Sequence, residues 1–179
     1  MIENEILEIF PEFKLIADEN IQKRSINAQK IAIEMGAWRL AQLFDIPFTL
    51  LIPDCKISYV DHVKAVFETA KKIAETMETV YEEKPLINYN FLYSGALLHD
   101  VGKLLEYKKE GTEIIKSKNG QNLRHPISGV GIAYLAGLPD EVAHCIAYHS
   151  HEGDNMNRSK EAIIINHADF VNFEVLKQR

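Results

Sequence analysis

Over most of this chain the apolar positions recur at steps of three and four, the spacing of helices that bury one stripe. The clearest stripe covers residues 60–81, through Val60, Val63, Val66, Phe67, Ala70, Ile73, Ala74, Met77, Val80 and Tyr81. Residues 26–44 read the same way, with Ile31, Met35, Trp38, Ala41 and Phe44 in phase and Ser25 placed to cap the start. Residues 46–54, IPFTLLIPD, are apolar but bracketed by Pro47 and Pro53, so they read as a packed connector. A mostly apolar helix is expected over 90–105. Residues 106–124 have no helical period and contain Gly111 and Gly120, which predicts a long loop or a small hairpin. Pro126 suits the first turn of a helix, Gly137 its end, and Pro139 the start of another over 140–149. After the polar stretch SHEGDNMNRSK, a last helix is expected over about 160–176. The pattern predicts an all-α bundle of about six to eight helices, by the usual lengths of helices and loops.

Composition changes this picture little. The 179 residues suit one domain, read as an N-terminal helical extension over 1–57 packed on a core domain over 58–179. The chain is 46% hydrophobic and 26% charged, as globular proteins are. Its net charge of −6 argues against a large nucleic-acid surface but permits a local basic pocket. Cys55 and Cys145 form no CxxC pair and read as reduced thiols. The acidic start MIENEILEIFPEF lacks the basic region of a signal peptide, and no apolar run nears the roughly 20 residues a span needs. A cytoplasmic location without membrane contact is expected, with homodimerisation left open.

The histidines carry the chemistry. All seven lie between His62 and His167. His62 sits one turn before Val66, on the edge of its stripe. His99 and Asp100 are adjacent within ALLHDVGK, where an ionisable pair is costly to bury unless something compensates it. Adjacent helical residues diverge by about 100°, so both reach one ion only if the helix is distorted there, which Gly102 would allow, or if the ion sits near the helix edge. His125 precedes a proline-started helix, and His149 lies three residues past Ile146 on an inner face. Asp169 lies four residues after Ile165 on an apolar helix, and a buried carboxylate there needs a cation or donors. His144 is expected to be solvated, and His167 to point elsewhere. Together His62, His99, Asp100, His125, His149 and Asp169 suit divalent transition metals, with Fe or Mn favoured and Zn, Co or Ni allowed. Six donors exceed what one catalytic ion takes while keeping an open position, and two ions bridged by Asp100 use them naturally.

At this point the residues resemble a known group. An early helical His, then LLHDVGK, HPISGVG, AYHSHEGD and INHADFV, resemble the HD-domain metal-dependent phosphohydrolase superfamily over roughly residues 58–175. The resemblance implies a helical bundle with its metal site in the core, His62, His99, Asp100 and Asp169 as the shared ligands, and His125 and His149 as the extra pair of six-ligand branches. Segments AYHS and ADF are similar to HD-type diadenosine tetraphosphate hydrolases, and HSHEGD to bacterial HD ribonucleases. NYNFLYSGALLHDVGKLLEY with the Lys-rich loop after it is similar to HD-type 3′–5′ exoribonucleases, but the helical first 57 residues argue against RNA degradation. HEGDNMN replaces the Gly-Tyr-Pro continuation of cyclic dinucleotide phosphodiesterases, which argues against that substrate.

The implied function is hydrolysis of a phosphate ester of a nucleotide or similar small molecule by metal-activated water. Asp100 would orient the nucleophile, and Lys103, one turn after His99, could reach a phosphate oxygen. His151 could donate a proton to the leaving oxygen or bind phosphate, and Arg124 is a further phosphate candidate. For Lys103 and His151 a solvated surface role competes evenly. Lys108, Lys109, Lys116 and Lys118 read as a solvated basic loop. The rival functions are a diiron HD-type oxygenase and a nucleotide-binding regulatory protein.

Overall fold

The computed structural model describes residues 2–83 and 86–178. The chain begins with α1 (Ile2–Ile9), a 3-10 turn over Pro11–Leu15, and α2 (Glu19–Met35). The Asp18 carboxylate caps α2 by accepting from the N–H groups of Asn20 and Ile21, at 2.9 and 3.0 Å. The helix expected over 26–44 is therefore shifted and split. Its start was hidden because ENIQKR is mostly polar and only the Asp18 cap marks it. Ser25 is not the cap; it lies inside α2, where its hydroxyl meets Ser94 Oγ at 2.7 Å in the interior. The helix stops at Gly36 and Ala37, the latter with φ of 55°, and a 3-10 turn covers Leu40–Phe44. Trp38 and Leu43 stay buried through the break, so the apolar period outlives the helix.

Helix α3 (Tyr59–Val80) follows the predicted stripe and opens with a capping box between Ser58 and Asp61. Helix α4 (Tyr89–Leu98) packs against α2 and α3 and against two later helices, which is why it is apolar nearly all round. The expected 90–105 helix breaks after Leu98. Val101 N–H bonds Leu98 O and Lys103 N–H bonds Asp100 O, both three residues back, before the single turn of α5 (Lys103–Glu106).

The unperiodic stretch resolves into an antiparallel hairpin, β1 (Tyr107–Glu110) and β2 (Glu113–Lys116), and the short α6 (Lys118–Asn122). Gly111, at φ of 63°, supplies the left-handed first position of the two-residue turn. Then come α7 (His125–Leu135), α8 (Asp140–Tyr148), a 3-10 turn over His151–Gly153, and α9 (Lys160–Lys177). The hairpin is the only sheet among the described residues, so the architecture is all-α in substance.

One core runs through the bundle. Ile6, Phe10, Phe13 and Ile16 from the N-terminal segment are buried in the same cluster as Val66, Leu97 and Ile146. Each fully buried side chain of this size contributes about 1.5–3 kcal/mol. Among the described residues no helix is long and apolar enough to cross a membrane.

Candidate metal centre

The turn between α4 and α5 projects His99 and Asp100 into the middle of the bundle, where both are at most 1% exposed. Successive three-residue hydrogen bonds tighten this turn. Around it lie His62 from the first turn of α3, His125 from the first residue of α7, His149 from the C-cap of α8, and Asp169 from α9.

The two Asp100 oxygens face different partners. Oδ2 lies 3.4 Å from Nε2 of both His62 and His99, and His62 Nε2 is 3.1 Å from Asp169 Oδ1. Oδ1 lies 3.2 Å from His125 Nε2 and 3.7 Å from His149 Nε2. Donor atoms of His62, His99 and Asp100 lie within 4.8 Å of one another, as do those of Asp100, His125 and His149. All six sequence-predicted ligand candidates are thus brought together.

Hydrogen bonds behind three of the four rings orient them, while His62 Nδ1 is buried without a partner among the described residues. His99 Nδ1 faces Ala96 O at 2.7 Å and His149 Nδ1 faces Ile146 O at 2.8 Å. A carbonyl oxygen only accepts, so both Nδ1 atoms carry the proton and both Nε2 atoms point a lone pair inward. His125 Nδ1 lies 2.8 Å from Glu106 Oε2. The inward nitrogens approach closely, at 3.5 Å between His62 and His99 and 3.2 Å between His125 and His149. Converging imidazole lone pairs beside carboxylates repel without a proton or cation between them. This donor set fits a divalent metal bound by nitrogen and oxygen.

Electrostatics favour the ligating forms of His149, His62 and both carboxylates, whereas His99 is drawn toward its protonated form. Burial, then the neighbouring His99 and His125, lowers His149 to about 3, so its ring is neutral at pH 7. Burial also lowers His62. Burial alone would raise Asp100 and Asp169, but their neighbours reverse this. Lys103 and His99 hold Asp100 well below the usual carboxylate range, and the His62 hydrogen bond and His99 lower Asp169 to about 2. Burial likewise pulls His99 down, and Asp100 more than offsets it, leaving the ring raised.

A cavity of about 160 Å³ opens onto the centre. Asp100, His125 and Asp169 reach it, while Phe48, Tyr107, Phe170, Phe173, Leu50 and Leu51 form an apolar wall. Lys103, Lys116, Arg124 and His151 line its polar side. Lys103 is buried rather than solvated, with Nζ 2.6 Å from Asp100 Oδ2 and bonded to Phe48 O. Burial lowers its pKa and the Asp100 charge more than restores it, so the ammonium stays charged. His151 is largely exposed at the rim, with Nδ1 2.9 Å from Asp154 Oδ2. Arg124 Nε pairs with Glu152 Oε1 at 2.9 Å. Of the Lys-rich loop, Lys108, Lys109 and Lys118 do not line the cavity, whereas Lys116 does. His144, expected to be solvated, is half-buried because its Nε2 accepts the Ser159 N–H at the start of α9; His167 is exposed.

Sequence reasoning passed over three residues here. Phe48 stacks on His62 with centroids 4.4 Å apart. Glu106 holds His125, and its only sequence signal is an acid set between Leu104, Leu105 and Tyr107. Arg158 donates to Tyr148 O at 2.7 Å and Ser150 O at 2.8 Å, tying down the segment after His149.

A helical bundle that gathers His and Asp donors from five separate helices and turns around a central His-Asp pair defines a class of metal-binding domain. The HD domain family matches residues 59–172, and the chain belongs to it. A curated relative, the dihydroneopterin 2′,3′-cyclic phosphate phosphodiesterase of Methanocaldococcus jannaschii, is 32% identical over 113 residues. That match covers 62% of this chain and 44% of the relative, so the chain spans less than half of that protein's length. No solved structure matches the chain significantly.

Proposed function

We propose that this protein is a metal-dependent phosphodiesterase that hydrolyses a small phosphate ester carrying a flat ring. The observation that carries the reading is Asp100, whose two oxygens face two separate donor groups at the floor of a cavity with cations on one side and aromatic rings on the other. His62, His99, Asp100 and Asp169 would hold one ion, and Asp100, His125 and His149 a second, with Fe or Mn favoured. When bound, such ions polarise the phosphoryl oxygens and supply a nucleophile at neutral pH.

The chain's own residues do the rest. Lys103 has three N–H donors, of which Asp100 and Phe48 O take two, and the third serves a phosphate oxygen. Arg124 offers its remaining N–H groups to the same anion at the cavity mouth. His151 is oriented through Nδ1–H by Asp154, and in its imidazolium form it would give the Nε2 proton to the leaving oxygen. Phe48, Phe170 and Phe173 take a planar ring and keep water from the reacting phosphate.

The aromatic wall opposite the cations suits an ester that joins one planar ring to one phosphate. The substrate that names the relative, dihydroneopterin 2′,3′-cyclic phosphate, combines a ring system with a phosphodiester in this way. The test is metal analysis of anaerobically purified protein, coupled to turnover of 2′,3′-cyclic nucleotides, a pterin cyclic phosphate, nucleoside monophosphates, dinucleoside polyphosphates and short oligoribonucleotides. Metal-dependent turnover of the cyclic esters is expected. Oxygen uptake without phosphate chemistry, or hydrolysis restricted to oligonucleotides, would overturn the proposal.

A further inference from the structure

The two donor groups are not equivalent. The first draws on four residues, His62, His99, Asp100 and Asp169; the second has three, Asp100, His125 and His149. What the second has in addition is a carboxylate behind one ring. Glu106 Oε2 accepts both from His125 Nδ1–H at 2.8 Å and from the His125 backbone N–H at 2.9 Å. Glu106 is only 5% exposed, and the bonds from His125 hold its carboxyl low despite burial.

The hairpin and α6 hold Glu106 in place. Ser117 N–H bonds Glu106 O at 2.8 Å as the chain leaves β2, and Lys116 Nζ lies 3.6 Å from Glu106 Oε1. Gly120 of α6 lies so close that a Cβ there would be 2.2 Å from Glu106 O and 2.8 Å from its Cγ. The stretch that returns the chain from α5 to α7 thereby clamps this one carboxylate against this one histidine.

We infer that Glu106 is the positioning residue of the second metal position, fixing the His125 tautomer and raising the basicity of its Nε2, and that occupancy of this position depends on it while the first does not. This rests on the two-ion reading above. A carboxylate behind a ligating imidazole typically contributes 10–100-fold in metal affinity. The first group has no carboxylate behind its rings: His99 Nδ1 is served by a backbone carbonyl that no side-chain change removes, and His62 Nδ1 has no hydrogen-bond partner among the described residues.

The experiment is titration of the metal-free full chain with Co²⁺, read by visible absorption and by equilibrium dialysis. Wild type is expected to take two ions per chain. Glu106→Ala should leave the first step unchanged and weaken the second roughly 10–100-fold. Glu106→Gln, isosteric and still an acceptor but uncharged, should fall between and guards against a misfolded alanine variant. Equal weakening of both steps, or no change in either, overturns the inference. A wild type that binds one ion per chain overturns the two-ion reading and the inference with it.

Discussion

Replacing Gly102 by alanine should damage the centre without touching a ligand. A Cβ on Gly102 would sit 2.0 Å from His125 O and 2.7 Å from Gly129 N, where ordinary contact begins near 3.4 Å. Both neighbours are backbone, so the first turn of α7 must retreat by more than about an ångström, given how densely interiors pack. The φ of Gly102 is −67°, which alanine adopts freely, and the smaller unfolded entropy of alanine favours the variant by about 0.4–1 kcal/mol. Overpacking of a close contact costs about 1–3 kcal/mol or more, so the steric effect wins. His125 moves with α7 away from Asp100 Oδ1, now 3.2 Å distant. A misplacement of about 1 Å at a reacting centre costs about 100-fold in rate. Urea unfolding of the metal-free protein and kcat on a chromogenic phosphodiester measure the two effects. Gly111→Ala is the control: it meets nothing within 4 Å, so its φ of 63° costs about 1–2 kcal/mol while kcat stays unchanged. A Gly102→Ala variant with the wild-type midpoint and kcat would refute the packing argument.

Three further outcomes are expected. At a free metal concentration of about 100 times Kd, binding adds about 2.7 kcal/mol, or roughly 5–11 °C in Tm for a chain of this size; a melt indifferent to chelator would contradict a metal fitted among these donors. Both cysteines are free, and burial pushes the Cys145 thiol up. A thiol-reactive disulfide should therefore label half-buried Cys55 in the native protein and Cys145 only after denaturation, and two fast thiols would show that the α8 core opens readily. Arg158→Ala removes two charged hydrogen bonds to the carbonyls of Tyr148 and Ser150, each worth about 1.5–3 kcal/mol. It should raise KM more than it lowers kcat, and a purely stability effect with unchanged KM would show that the loop does not shape the cavity.

The parts of this structure that were legible in the sequence are those in which local signals coincide. Helix α3 has an amphipathic stripe and a capping box, and it runs over Tyr59–Val80 as the spacing predicts. The break after Leu98 was only partly legible: the adjacent His-Asp pair and Gly102 point to a distortion, but HDVG contains no proline and is flanked by apolar residues, so the pattern predicts a continuous helix. That break decides the chemistry, since it lets neighbours that diverge in a regular helix face one centre. The donors themselves stood out as polar residues at apolar positions. Glu106 did not, because its partner His125 is nineteen positions away and comes beside it only through the hairpin and α6. Phe48 was hidden for the same reason: it reads as filler in a proline-bracketed connector, and only the closed fold lays its ring on His62.

The charge of the centre reconciles an acidic chain with an anionic substrate. The cavity is lined by three carboxylates, those of Asp100, Asp169 and Glu106, and by three cations, Lys103, Lys116 and Arg124, of which Lys103 is the buried one. The lining is thus near balance in a chain of net charge −6, so the side chains alone give phosphate little electrostatic pull. Divalent ions held by these donors, as proposed, would make the centre positive, and the low-dielectric wall of Phe48, Phe170 and Phe173 would strengthen the resulting field at the cavity mouth. Lys103 makes the folded state tolerable before metal arrives, because Asp100 then has a buried cation within 2.6 Å. The same ammonium would then stand beside the proposed phosphate, so one side chain would answer both the cost of burying the His-Asp pair and the need for a cation at the floor of the cavity.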